Sequence, residues 1–165
     1  MMKQEACGHA AGFYFFRESE TMIERSAGIL MHITSLPSPY GVGTLGRAAR
    51  AFADFLEQAG QRFWQVLPVG PTGSGDSPYQ SFSSFAGNPY LIDLELLEEE
   101  GLLAHGVSAA IDWGSDPEQV DYGRLYRSRF AVLRQACDVC RRTRQAELAR
   151  FAEEQRHWLE DYALF

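Results

Sequence analysis

A chain of 165 residues is long enough to bury the core of one ordinary domain. Apolar residues make up 45% of it and low-complexity tracts are scarce, which excludes a disordered chain. The formal charge of −7 excludes a basic face of the kind that binds a phosphate backbone, so no nucleic-acid partner is expected. The densest basic run, Arg141, Arg142 and Arg144, is followed by Glu147, Glu153, Glu154, Glu160 and Asp161, and reads as a solvated helix surface.

At the start of the chain, Ala10 to Phe16 is a short apolar patch with no small-residue cleavage pattern after it. Residues 1–24 therefore read as a weakly ordered leader or an extension, with Met22 as an alternative start, and not as a signal peptide. No apolar run approaches a membrane span, and three cysteines make no disulfide framework. The expectation is a cytoplasmic protein with no membrane partner.

The first element is Gly28 to Thr34, GILMHIT, apolar enough for a buried strand. A proline- and glycine-rich loop, SLPSPYGVGTLG, follows. Leu45, Ala49, Phe52, Leu56 and Ala59 then recur at spacings of three and four, which predicts a helix that Gly60 stops. Phe63 to Val69, FWQVLPV, is a second apolar run. Strand, helix, strand in this order predicts a βαβ unit with parallel neighbouring strands.

A loop of roughly twenty residues leaves the second strand, long enough to suggest a functional role. YLIDL is expected to be extended, and LLEEEGLL to be a short helix with a glycine stop. Residues 104 to 120 read as a surface connection. Two closing helices are predicted. One is marked by Tyr122, Tyr126, Phe130, Leu133 and Cys137, the other by Leu148, Phe151, Trp158 and Tyr162.

Three short motifs invite a functional reading and fail on their context. Gly41 to Gly46 spells GxGxxG, but six residues separate it from the strand and no carboxylate closes the next strand; a structural loop is favoured over dinucleotide binding. Cys137 and Cys140 form a CxxC inside an amphipathic helix without a second pair, so they read as small buried residues, not as metal or redox ligands. Ser77 resembles a nucleophile elbow, yet Tyr79 stands where the elbow needs glycine. His32 reads as a satisfied core residue. Asp76 reads as a turn residue and Asp93 as a hydrogen-bond acceptor at a strand end; neither is favoured as a catalyst.

The informative stretch is GDSPYQSFSSFAGNPYLIDL, residues 75 to 94. Tyr79, Phe82, Phe85 and Tyr90 alternate with Ser77, Gln80, Ser81, Ser83, Ser84 and Asn88. Flat rings beside neutral donors and acceptors suit a neutral, hydroxyl-rich ligand such as a sugar. Phe82 and Phe85 are read as self-packed core of the loop, and Tyr79 as a ligand contact.

These residues carry a resemblance. RSAGILMHITSLPSPYGVGTLG at 25 to 46, FWQVLPVGPTG at 63 to 73, the stretch at 75 to 94 and WLEDYALF at 158 to 165 are similar to the amylomaltase family, the 4-α-glucanotransferases of glycoside hydrolase family 77. The resemblance implies an α/β fold, the N-terminal part of a (β/α)₈ barrel with a helical insertion, spanning residues 25–165 and incomplete in this chain, since a whole barrel takes about 250 residues. It implies retaining transfer of α-1,4-glucan segments between maltooligosaccharides through a covalent glucosyl-enzyme, with no metal or other cofactor. The catalytic carboxylates are then expected downstream of Phe165, so this part of the chain is expected to be inactive alone. Ser77, Tyr79 and Asn88 are the expected substrate-binding residues. Ser74 stands where a common family form has Tyr, a residue linked to an outer glucan groove, and Ile33 replaces a frequent proline. The alternative is a non-catalytic glucan-binding or structural remnant.

Overall fold

A computed structural model describes residues 25–165 apart from Ser74, Ser115 and Pro117. The leader expected at 1–24, with its possible start at Met22, lies outside the described residues.

The βαβ unit forms as the sequence predicts, but its first strand is exposed and not the buried strand expected, because within these residues only β2 pairs with it. Strand β1, Gly28–Leu30, pairs in parallel with β2, Phe63–Gln65, in the register Gly28 with Phe63, Ile29 with Trp64 and Leu30 with Gln65. Between them runs helix α1, Arg47–Gln58, with Ala49 and Leu56 buried. Gly60 closes it at φ +70°, a left-handed value that glycine adopts without a Cβ penalty. Both strands are shorter than the apolar runs that contain them. Beyond Leu30 one more ladder bond forms, Met31 N–H to Gln65 O at 3.0 Å, and the chain then turns into a 3₁₀ helix at Ile33–Ser35. Beyond Gln65, Pro68 has no N–H to offer a neighbour.

The GxGxxG loop is built for close approach. A Cβ at Gly43 would strike the backbone of Ile33 and Leu36, and one at Gly46 would fall inside the Asp93 carboxylate. The glycines let three chain segments cross at one point, which is the structural role the sequence favours.

YLIDL is not a strand. Asn88 Oδ1 accepts the Tyr90 N–H at 3.0 Å, and a 3₁₀ turn follows at Pro89–Leu91. Asp93 Oδ1 accepts the Leu96 N–H at 3.0 Å and opens helix α2, Leu94–Glu99. Two side-chain caps five residues apart turn the backbone that β-branched and apolar content suggested would extend. Gly101, at φ +71°, stops α2 as expected. The 104–120 connection holds more than a surface path: Trp113 is buried, and its Nε1–H donates to Ser108 O at 2.8 Å.

Helix α3, Tyr122–Thr143, buries Leu125, Arg129, Val132 and Ala136. The predicted stripe of Tyr122, Tyr126, Phe130, Leu133 and Cys137 is rotated from this line; Tyr126 and Cys137 are exposed. The charge on Arg129 hides the true core line from an apolar count. Its guanidinium is buried and donates to Ile92 O, and burial lowers its pKa to about 10. The last predicted helix is two, α4 at Gln145–Glu154 and α5 at Arg156–Leu164. Gln155 leaves helical geometry between them, and its Oε1 accepts the Trp158 Nε1–H at 2.8 Å.

Among the described residues, two clusters make the core. The larger joins Val42, Tyr90, Leu94, Leu102, Leu103, Trp113, Leu125, Val132 and Ala136. The smaller joins Ile33, Leu36, Ala49 and Leu91 beneath α1 and the strands. Fully buried leucines such as Leu94 and Leu125 each contribute about 1.5–3 kcal/mol.

Candidate functional site

The long loop after β2 closes on itself. Asn88 N–H donates to Val69 O at 2.8 Å, and Thr72 and Ser81 form an antiparallel bridge inside that closure. Several of its hydroxyls are used to shape it. Ser83 Oγ accepts from the Phe85 N–H at 3.2 Å and the Ala86 N–H at 3.0 Å. Ser81 Oγ donates to Ser83 O at 2.7 Å. Such local bonds are what serine offers a turn.

The four rings divide three ways. Tyr90 is buried, edge-on to Tyr122 and Phe130, each 5.7 Å away. Phe82 and Phe85 are exposed and not the self-packed core expected of them; they lie against the rings of α5. Tyr79 is 72% exposed.

Of the expected substrate residues, Asn88 lines a cleft of about 460 Å³ together with Asp76, Phe82, Tyr90, Tyr126 and Tyr162. Its side-chain oxygen is committed to the Tyr90 N–H. Ser77 and Tyr79 stand on the same loop but off the wall of this cleft, and Ser77 Oγ accepts the Tyr79 N–H at 3.4 Å. Asp76 holds φ +54°, a left-handed backbone unusual outside glycine. Tyr90 and Tyr122 have pKa values raised by burial first and by the Asp76 charge second. Tyr126 and Tyr162 were visible in the sequence only as helix-stripe residues. Tyr126 is exposed where the apolar stripe predicted burial, so no signal in the sequence marks it.

Asp93 is a structural acid. One oxygen caps α2 and the other accepts the Thr44 hydroxyl at 2.5 Å. His32 is half-buried; burial lowers its pKa, and Nδ1 has no partner among the described residues. Cys137, read as buried, is exposed, and Cys140 is half-buried. A larger cleft of about 620 Å³ lies between Thr34–Gly43 and the Trp113–Val120 segment. Pro37, Trp113, Asp116 and Glu118 are among its lining residues, and no ring of the long loop is.

The molecule is thus an α/β protein whose second parallel strand feeds a folded loop of exposed rings. The model of the 4-alpha-glucanotransferase family, glycoside hydrolase family 77, matches residues 31–165. A 4-alpha-glucanotransferase of Thermus thermophilus is 52% identical over 147 residues, 87% of this chain and 28% of the relative. One of Clostridium butyricum is 49% identical over 135 residues, 82% of this chain and 28% of the relative. Among solved structures, amylomaltase from Streptococcus agalactiae in complex with acarbose superposes with a TM-score of 0.80 at 47% identity, covering 85% of this chain and 28% of that one. The chain belongs to the 4-α-glucanotransferase family of glycoside hydrolases. It spans a little over a quarter of the length of these relatives.

Proposed function

We propose that this chain supplies the sugar-facing N-terminal part of an enzyme that moves α-1,4-glucan segments from a donor maltodextrin to an acceptor glucan or glucose. The observation that carries the reading is the loop at 75–94, held by its own hydroxyls, with the Tyr79 ring turned to solvent after a parallel strand. Exposed rings of this kind stack on the apolar faces of sugars, and neighbouring hydroxyls and amides orient them. Ser77, Tyr79 and Asn88 are the proposed contacts. In the same proposal, β1, α1 and β2 are the first turn of a (β/α)₈ barrel, where loops at the C-terminal ends of strands build the site. The cytoplasm is the proposed location, in keeping with free Cys137 and Cys140.

Retaining transfer takes a nucleophile and an acid/base carboxylate about 5 Å apart. Asp93 is spent on Leu96 and Thr44, so Asp76 is the carboxylate left at the loop. Residues 1–165 by themselves are therefore expected to bind glucan without transferring it. Calorimetric titration with maltoheptaose, beside an incubation with maltotriose analysed for longer chains, tests both statements. Heat of binding without disproportionation is the expected result. No binding would favour a purely structural role, and disproportionation would place the catalytic carboxylates within these residues.

A further inference from the structure

Helix α5 reaches the long loop through its rings. Tyr162 stacks on Phe82 with ring centres 6.0 Å apart and planes 10° from parallel. Trp158 stacks on Phe85 at 5.7 Å and 13°. His157 meets Phe85 edge-on at 5.5 Å, and Phe165 adds a tilted contact to Phe82 at 5.7 Å. No residue of α4 or α5 is buried, so these helices are not anchored by a core of their own. Trp158 and Tyr162 also touch each other edge-on at 5.8 Å, which makes one continuous ring stack across two segments some 75 residues apart.

The loop depends on this stack from its own side. Besides the Thr72–Ser81 bridge and the Asn88–Val69 closure, its bonds are local: the Gln80 N–H donates to Ser77 O, and the Phe85 and Ala86 N–H groups donate to Ser83 Oγ, each spanning two or three residues. The local bonds set turns; the bridge and the closure tie the loop to residues 69–72, and the contacts of Phe82 and Phe85 with α5 are what hold its aromatic side. Tyr79 lies inside the Thr72–Ser81 bridge and three residues before the stacked Phe82, so the hold on Phe82 acts on the side of the loop that Tyr79 leads into.

We propose that Trp158 and Tyr162 are positioning residues: they clamp Phe82 and Phe85 so that the 77–86 loop presents Tyr79 in one direction. The consequence for glucan binding rests on the function proposed above; the mechanical part does not. Trp158 acts through the loop alone, while Tyr162 also lines the cleft beside Asn88, so the Trp158 variants carry the test of indirect action on ligand affinity.

The test compares Trp158→Leu and Tyr162→Leu with the ring-preserving Trp158→Phe and Tyr162→Phe. Amide hydrogen exchange is read at Gln80, Phe85 and Ala86, with Val132 and Ala136 on the buried face of α3 as internal reference. The leucine variants should speed exchange in the loop about tenfold while the reference amides hold, and the phenylalanine variants should restore protection. Maltoheptaose affinity should fall about two- to tenfold in the leucine variants and recover in the phenylalanine ones. Unchanged loop exchange in the leucine variants would overturn the proposal, and so would equal loss of protection at Val132 and Ala136. Faster loop exchange in a protein that never binds maltoheptaose would uphold the clamp and remove the glucan reading instead.

Discussion

The helical half and the strand half of this protein are finished to different degrees. Around α3 the core closes on itself: Leu94, Leu125 and Val132 are shut away from solvent, with Trp113 and Tyr90 sealing the edges. Around β1 and β2 it does not. Ile29, Leu30 and Phe63 remain 41%, 60% and 49% exposed, on a sheet of two three-residue strands. A two-stranded sheet is marginal alone. The difference teaches that stability within these residues resides in the helical part around α3, while the βαβ unit that carries the long loop borrows its order from there, through Leu91, Ile92 and Asp93.

The sharpest way to break that comparison is a pair of truncations. Leu125→Ala removes a fully buried side chain and should cost about 2–5 kcal/mol, lowering Tm by about 5–15 °C. Ile29→Ala, at an exposed strand position, should cost less than about 1 kcal/mol by the same calorimetry. Equal losses would show that the strand half is as fully built as the helical one.

Asp93 links the halves, so Asp93→Ala should rank next. It removes the cap of α2 and the partner of Thr44, at about 1–2 kcal/mol. A chemical denaturation midpoint that does not move would deny it that structural role.

Acid sharpens the comparison further. The Glu98 carboxylate accepts the Gly106 and Ser108 N–H groups at 2.8 and 3.1 Å, and these backbone bonds, Gly106 foremost, hold its pKa below the usual 4.5. A depressed carboxylate pKa contributes stability that is present above 4.5 and drains away as pH falls through the folded value. Melting curves collected downward from pH 5 should therefore fall more steeply for the native chain than for Glu98→Gln. Parallel curves would mean that this clamp is not the acid-sensitive one.

The smallest effect on stability belongs to the loop tip. Tyr79→Ala should leave Tm unchanged within the roughly 0.5 kcal/mol expected of a surface site, yet weaken maltoheptaose binding about two- to tenfold. A change in Tm without one in binding would move Tyr79 from the ligand to the fold.

Periodicity and punctuation were enough to read the βαβ unit, α1 with its glycine stop, and the existence of a folded aromatic loop, because each is decided by neighbours within a few residues. The phase of α3 was not readable. Arg129 occupies a core position, and its burial depends on Ile92 O, 37 residues earlier in the chain. Nor was the turn at YLIDL, where Asn88 and Asp93 override an apolar run by capping the backbone.

By itself the sequence determined which rings and hydroxyls share the loop, and the family text that places it, since both are properties of order along the chain. Which ring does what was decided by tertiary contact alone. Tyr90 went into the core beside Tyr122 and Phe130, while Phe82 and Phe85 went to α5, some 75 residues away, leaving Tyr79 to solvent. Ring stacking follows from distance in space, and a loop's sequence carries no record of which distant helix will lie against it.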